Sequence, residues 1–185
     1  MKNGQVMLAI CDTNILLFWA DRRDRLTVAA QQALNDGREN GNLACAAISF
    51  WEIALLFRKN RLVLPAQYTP TSYMEDIVES LALSVLQLTP AIAALSESGI
   101  VAHGDPADRL IAATAIAHQA LFITDDEKLR ATPGLRCIWW QKSFVPAGYG
   151  NKALIGERSF QIRMPLPHDF FRYAFFVDDM WDCTF

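Results

Sequence analysis

Short apolar runs, each about one strand long, recur along this 185-residue chain with helix-like spacing between them. Such an alternation favours an α/β fold in which a central, mostly parallel sheet is flanked by helices. The strand-like runs are residues 6–11 (VMLAIC), 43–48, 83–88 (LSVLQL), 120–124 (ALFIT) and 136–140 (RCIWW). After the first come Ile15, Leu16, Leu17, Phe18 and Trp19, then Leu26, Ala29, Ala30, Ala33 and Leu34 at helical intervals before the turn-rich DGRENGN. Ser49 is placed to cap a helix through Phe57, with Asn60 as its stop because Asn tolerates positive φ. A further helix is expected at about 71–82. Thr89-Pro90 and Asp105-Pro106 each join an N-cap side chain to a proline at the first helical position, the second opening a helix to about His118.

With 52% hydrophobic and 20% charged residues, the chain can bury one substantial core and is short for two. A net charge of -3 argues against indiscriminate coating of nucleic acid or adhesion to anionic membranes, so any nucleic-acid contact must be local. Cys11, Cys45, Cys137 and Cys183 show no C-x-x-C spacing, and the first three fall in strand-like runs, as buried free thiols of a reducing compartment would. The apolar start is too short for a signal peptide, and LACAAISFWEIALLF is broken by Glu52 and too short to span a bilayer. These features lead us to expect a soluble cytoplasmic protein with no membrane partner.

Asp12, Glu52, Asp108 and Asp126 each stand among apolar neighbours where a strand or helix begins or ends. Carboxylates brought together in such settings lose solvation and repel one another, a cost that protons or a cation must offset. Hard divalent cations such as Mg²⁺ and Mn²⁺ suit oxygen donors of this kind. In a parallel sheet, ligands bind beyond the carboxyl ends of the strands, where Asp12 and Asp126 fall and near which Glu52 begins its helix. Each acid also has a structural reading. Ser49 and Glu52 have the spacing of a capping box, Asp105 and Asp108 suit a helix start, Asp12 could cap the helix after the first strand, and Asp125 and Asp126 could be turn residues. The functional reading rests on all four acids converging at one edge.

CDTNILLFW, SFWEIALLFRKNRLVLP, HGDPADRLIAATAIAH and FITDDEKL, in this order over roughly residues 7–140, resemble the successive blocks of PIN-domain ribonucleases, specifically the VapC toxins of bacterial toxin–antitoxin pairs. The resemblance implies a PIN-like nuclease domain over 1–140 in which Asp12, Glu52, Asp108 and Asp126 are the catalytic quartet. Asp12, Asp108 and Asp126 are then the metal ligands. Thr124 and Asp126 match a Thr-x-Asp block, which prefers Asp126 to Asp125; Asp105, Asp125, Thr13, Asn14 and Thr124 are supporting candidates that orient ligands or, alternatively, cap and turn. The chain departs from the family pattern at Asn60-Arg61-Leu62, where glycine commonly leads, and at Ala107, where a large aromatic is common and a small residue would loosen packing or widen the entrance.

The implied activity is Mg²⁺- or Mn²⁺-dependent hydrolysis of RNA phosphodiesters, with a cognate antitoxin as partner and a homodimer as the assembly. For gripping RNA, Arg58, Lys59 and Arg61 are the basic candidates, whereas Arg22, Arg23 and Arg25 read as solvated surface and Arg109 as a structural partner of a carboxylate. His103 and His118 are expected on a loop and a helix surface. An inactive PIN-like scaffold that binds RNA or protein is the competing reading, and a DNA-directed nuclease shares the same chemistry. A phosphatase of the haloacid dehalogenase type needs a second Asp where Asn14 stands. Residues 141–185 lie outside the resemblance. Phe144, Phe160, Phe170, Phe171, Phe175, Phe176 and Phe185 put most of the chain's 11 phenylalanines there, too many for a solvated linker, and HDFFRYAFF reads as a strand or short helix.

Overall fold

The computed structural model describes residues 7–139 and the backbone of residues 175–176. Strand β1 (Ala9–Cys11) passes through Asp12 into helix α1 (Thr13–Asp21), and a 3-10 turn (Arg23–Arg25) leads to α2 (Val28–Asn40). There follow β2 (Leu43–Ala46), α3 (Ile48–Arg58), β3 (Leu62–Val63), α4 (Pro70–Leu81), β4 (Ser84–Leu86), α5 (Pro90–Ser96), α6 (Pro106–Ala117), β5 (Leu121–Ile123), α7 (Glu127–Arg130), β6 (Arg136–Ile138) and β7 (Phe175–Phe176).

Five strands form one parallel sheet in the order β4-β2-β1-β5-β6, while β7 pairs antiparallel with β3. Chain growth runs outward from β1 through β2 to β4, then returns to the other side of β1 with β5 and β6. The sheet's switch point therefore lies between β1 and β5, which run in register from Ala9 opposite Leu121 to Cys11 opposite Ile123.

Alternate strand residues feed two cores. Ala9, Cys11, Leu43, Cys45 and Ile123 face a layer built by α1–α4, with Leu16, Leu34, Ile53 and Ile77 among its buried members. Ile10, Ala44 and Phe122 face the opposite layer, where α6 supplies Ile111, Ala112 and Ala115. Both faces of the sheet are thus covered, which is why its strands read as continuous apolar runs. Truncating fully buried Phe122 to Ala would cost about 3–5 kcal/mol. Cys11 and Cys45 are buried free thiols and Cys137 is partly covered. Among the described residues, no helix is long and apolar enough to cross a membrane.

Several local expectations are borne out and others change. Thr89 and Asp105 cap their helices with Pro90 and Pro106 at the first turn, and Thr69 does the same before Pro70 in a box closed by Ser72. Asn60 takes φ 54° and ends α3: its N–H bonds Phe57 O, and Arg61 N–H bonds Leu56 O at 2.9 Å. The stretch read as a turn, DGREN, instead continues α2 to Asn40, and Gly41 at φ 64° is the stop. Gly37 fits this helix because α2 lies so close to β2 that an added Cβ would stand 2.5 Å from Leu43 Cδ2. Ser49 is not the cap of α3. The helix begins one residue earlier, behind Ala47, without a side-chain cap. The short elements β3 and α7 carry too little periodicity to be read from sequence. Apart from the backbone of 175–176, the aromatic extension 141–185 and Cys183 lie outside the described residues.

Candidate active site

The end of β1 carries Asp12 to the sheet's switch point, where its side chain is 2% exposed. One carboxylate oxygen accepts Thr13 N–H at 2.7 Å and the other accepts the Thr124 hydroxyl at 2.5 Å. Thr124 directly follows β5, so these bonds tie the two central strands together at their carboxyl ends. Its hydroxyl also accepts Asp126 N–H at 3.1 Å. Thr13 makes the opposite link: its hydroxyl donates to Glu52 Oε2 at 2.6 Å. Glu52 therefore turns toward Asp12 and not back along α3, which overturns its capping-box reading. Ser49 Oγ is buried with no hydrogen-bond partner among the described residues.

Asp108 projects from the first turn of α6, and Asp126 is the N-cap of α7, where its Oδ1 accepts Leu129 N–H at 2.8 Å. His103 stands between them, with Nδ1 3.0 Å from Asp108 Oδ2 and Nε2 3.5 Å from Asp126 Oδ2. Its Nδ1 is also 3.2 Å from the backbone N of Asp105. Arg109 anchors this loop by donating to His103 O at 3.0 Å, Gly104 O at 3.3 Å and Glu97 Oε1 at 2.9 Å. Arg109 is thus a structural partner of a carboxylate, as its position suggested. His103, expected on an ordinary loop, instead spans two of the acids, and only tertiary packing brings it there. His118 stays at the exposed end of α6.

The fold brings together Asp12, Glu52, Asp108 and Asp126, with Asp105 and Asp125 at the margin. Asp105 caps α6 through Ala107 N–H at 2.8 Å, and Asp125 accepts Asn14 Nδ2 at 3.2 Å. Arg58, Lys59 and Arg61 lie at the other end of α3 and do not join the cluster. Ala107 is 2% exposed, so the small side chain bears on packing and not on the entrance.

Burial and crowding favour the protonated forms of Asp12, Glu52, Asp108 and Asp125. Asp12 is pushed up to about 7, first by burial and then by the Asp108 charge, against the lowering effect of the Thr124 hydrogen bond. Glu52 rises to about 8 by burial, with Asp108 and Asp12 adding to it and the Thr13 bond opposing it. Asp108 rises to about 7 by burial, then by Asp105, Asp126 and Asp125. Asp125 is also raised, again chiefly by burial, while Asn14 pulls it down. Each raised group feels the negative charge of another acid of the cluster, so the carboxylates destabilise one another's ionised forms in addition to the cost of burial.

Such a cleft favours whatever brings positive charge to it. Among the described residues, no group of three or more His, Cys, Asp and Glu side chains is spaced to hold a metal ion. Glu52 Oε2 is taken by the Thr13 hydroxyl, and Asp126 caps its helix with Oδ1 while Oδ2 lies toward His103. Carboxylate oxygens completed by water and substrate oxygens suit Mg²⁺, which keeps much of its hydration, so the chemistry of the donor set fits such an ion.

The PIN-domain family profile matches residues 9–135. The chain is 35% identical over 123 residues to Ribonuclease VapC22 of Mycobacterium tuberculosis, a match covering 66% of this chain and 89% of that protein. In fold it is similar to the crystal structure of VapBC2 from Rickettsia felis bound to a DNA fragment from their promoter. That likeness has a TM-score of 0.54 at 19% identity and covers 71% of this chain and 97% of that one.

Proposed function

This chain belongs to the PIN-domain family, and on that premise we propose that it is a Mg²⁺- or Mn²⁺-dependent endoribonuclease and the toxin of a toxin–antitoxin pair. The carrying observation is the cluster of proton-holding carboxylates at the β1–β5 switch point, ordered by Thr13, Thr124 and His103. Asp12, Asp108 and Asp126 would hold the ion. Once bound, it would supply a Lewis acid for the phosphate and a lower pKa for the attacking water. Thr124 holds Asp12 in place through its hydroxyl and Asp126 through its backbone. Glu52, held by the Thr13 hydroxyl, would in its ionised form be placed to take the proton of the attacking water. Burial of Asp12 keeps competing water from its inner oxygen. Asn14 sets Asp125 at the rim, from which it adds negative charge without a defined place in the reaction.

RNA as substrate is supported by the ribonuclease relative. A cognate antitoxin fits the same cleft, because a basic side chain inserted among these acids would relieve the repulsion that a metal relieves during catalysis. A homodimer, a nuclease unit over 1–140 and a separate extension over 141–185 complete the reading. Incubating purified protein with a mixed small-RNA pool, in Mn²⁺ or Mg²⁺ against EDTA, tests it. Metal-dependent cuts that disappear in Asp12→Asn and Asp108→Asn are expected. A folded, antitoxin-free protein that neither cleaves RNA nor binds Mn²⁺ would be a binding scaffold instead.

A further inference from the structure

Arg22, Arg23 and Arg25 read in sequence as ordinary solvated surface, but the fold gives Arg23 and Arg25 a fixed base. The guanidinium of Arg23 lies 4.0 Å from the centroid of the Trp19 ring, and its Nε donates to Trp19 O at 3.0 Å. Arg25 lies 4.5 Å from the centroid of Phe18. Both rings belong to α1 and are buried. Stacking on a buried ring holds the Arg25 guanidinium in place while leaving its edge N–H groups able to donate. The turn beneath is fastened as well, since Gln31 Nε2 donates to Arg23 O at 3.2 Å and to Leu26 O at 3.1 Å. Arg22 is different: it pairs with exposed Asp24 at 3.4 Å.

The direction of this shelf follows from helix geometry. Asn14 and Phe18 are four residues apart on α1 and so share one face, about 5.4 Å apart along the axis. Asn14 touches Asp125 at the rim of the acidic cleft. Arg25, stacked on Phe18, therefore lies about one helical turn from that rim. Arg58 and Lys59 close the far end of α3, about two turns beyond Glu52.

We propose that Arg25, with Arg23 beside it, is the phosphate-gripping shelf for single-stranded RNA entering the acidic cleft along α1. This rests on the endoribonuclease reading and adds to it the surface that the substrate takes. A carboxylate cleft repels a polyanion, so a substrate must be held by cations placed outside the metal ligands yet within a nucleotide or two of them. The arginine shelf meets that requirement. Arg25 contacts a backbone phosphate adjoining the scissile one, and Arg23 adds its charge beside it.

Steady-state cleavage by Arg25→Ala, Arg25→Lys and the Arg23→Ala/Arg25→Ala pair tests the shelf. In parallel, binding of a single-stranded oligoribonucleotide is followed by anisotropy in the Asp12→Asn background across a KCl series. Arg25→Ala is expected to raise KM roughly five- to tenfold with kcat nearly kept, and Arg25→Lys to recover part of the loss. Each arginine removed should shallow the slope of log affinity against log salt by about 0.7. Unchanged KM and salt slope in folded Arg25→Ala would overturn the proposal, as would the same losses falling on Arg58→Ala/Lys59→Ala instead. RNA binding kept alongside weakened binding of an acidic protein would assign the arginines to a protein partner and also overturn it. If the wild-type chain cleaves no RNA, the endoribonuclease reading fails on its own, and the salt-dependent binding series still decides the shelf.

Discussion

Along the β1–α3 wall of the cleft, Asp12 and Glu52 sit deep and lean on the hydroxyls of Thr124 and Thr13, whereas along the α6–α7 wall Asp105 and Asp126 accept backbone N–H groups at the starts of helices. The second pair is partly supported by ordinary capping and by the positive end of a helix dipole. The first pair has less of that support. Glu52 caps nothing, and Asp12, the N-cap of α1, accepts a single backbone N–H, that of the adjacent Thr13. Their raised proton affinities measure what negative charge costs at that wall. A carboxylate whose structural benefit is small and whose cost is large points to function more firmly than one that also starts a helix.

Asp12→Asn should separate the walls most sharply. It keeps the shape and removes a ligand charge, so cleavage should fall at least about a hundredfold while the melting temperature in EDTA does not drop. Metal-dependent cleavage assays beside circular dichroism melts check this, and full activity in the folded variant would break the contrast. His103→Ala comes next, because it removes the link between Asp108 and Asp126. Mn²⁺ affinity measured by calorimetry should weaken roughly tenfold or more. An unaltered affinity would mean that Asp108 and Asp126 are set independently.

The pH dependence follows from the direction of the shifts. Asp12, Glu52 and Asp108 hold protons in the folded chain up to about 7 or 8, whereas the unfolded chain releases them near 4. Over that interval the folded state binds more protons, so metal-free stability should fall as pH rises from about 4 to about 8. Added Mn²⁺ should oppose the fall increasingly at higher pH, because it needs the same groups deprotonated. Melts at several pH values, with and without metal, read both. A stability that rises with pH in EDTA would show that the acids are not crowded as described.

The smallest effect is a paired one. Glu52→Gln should raise the melting temperature in EDTA by about 2 °C, since it relieves repulsion where no cap is lost. Asp126→Ala should lower stability by about 1 kcal/mol relative to Asp126→Asn, which keeps the cap. Urea titration of these variants tests the pair. Loss of stability in Glu52→Gln with and without metal alike would restore a structural role for Glu52.

Much of this molecule is legible along the chain because the signals are local. The capped starts at Thr89-Pro90 and Asp105-Pro106, the left-handed stop at Asn60 and the apolar strands each depend on neighbours within a few residues. The acids could be singled out for the same reason, as charges interrupting apolar runs. Where local rules offered two answers, packing chose. Glu52 had the spacing of a capping box, yet α3 starts at Ile48 and the side chain meets Thr13, a residue 39 positions away. DGREN looked like a turn, yet α2 continues through it because Gly37 can lie against Leu43.

The sequence by itself determined the succession of elements, the α/β class and the identity of the acids, since periodicity, capping and charge placement act over one or two turns. Tertiary structure alone decided the order β4-β2-β1-β5-β6, the meeting of β1 with β5 that joins Asp12 to Thr124, the seat of His103 between two carboxylates and the stacking of Arg25 on Phe18. Those relations join side chains from separate elements. They arise only when burying both faces of the sheet brings its strand ends and helix starts to one edge.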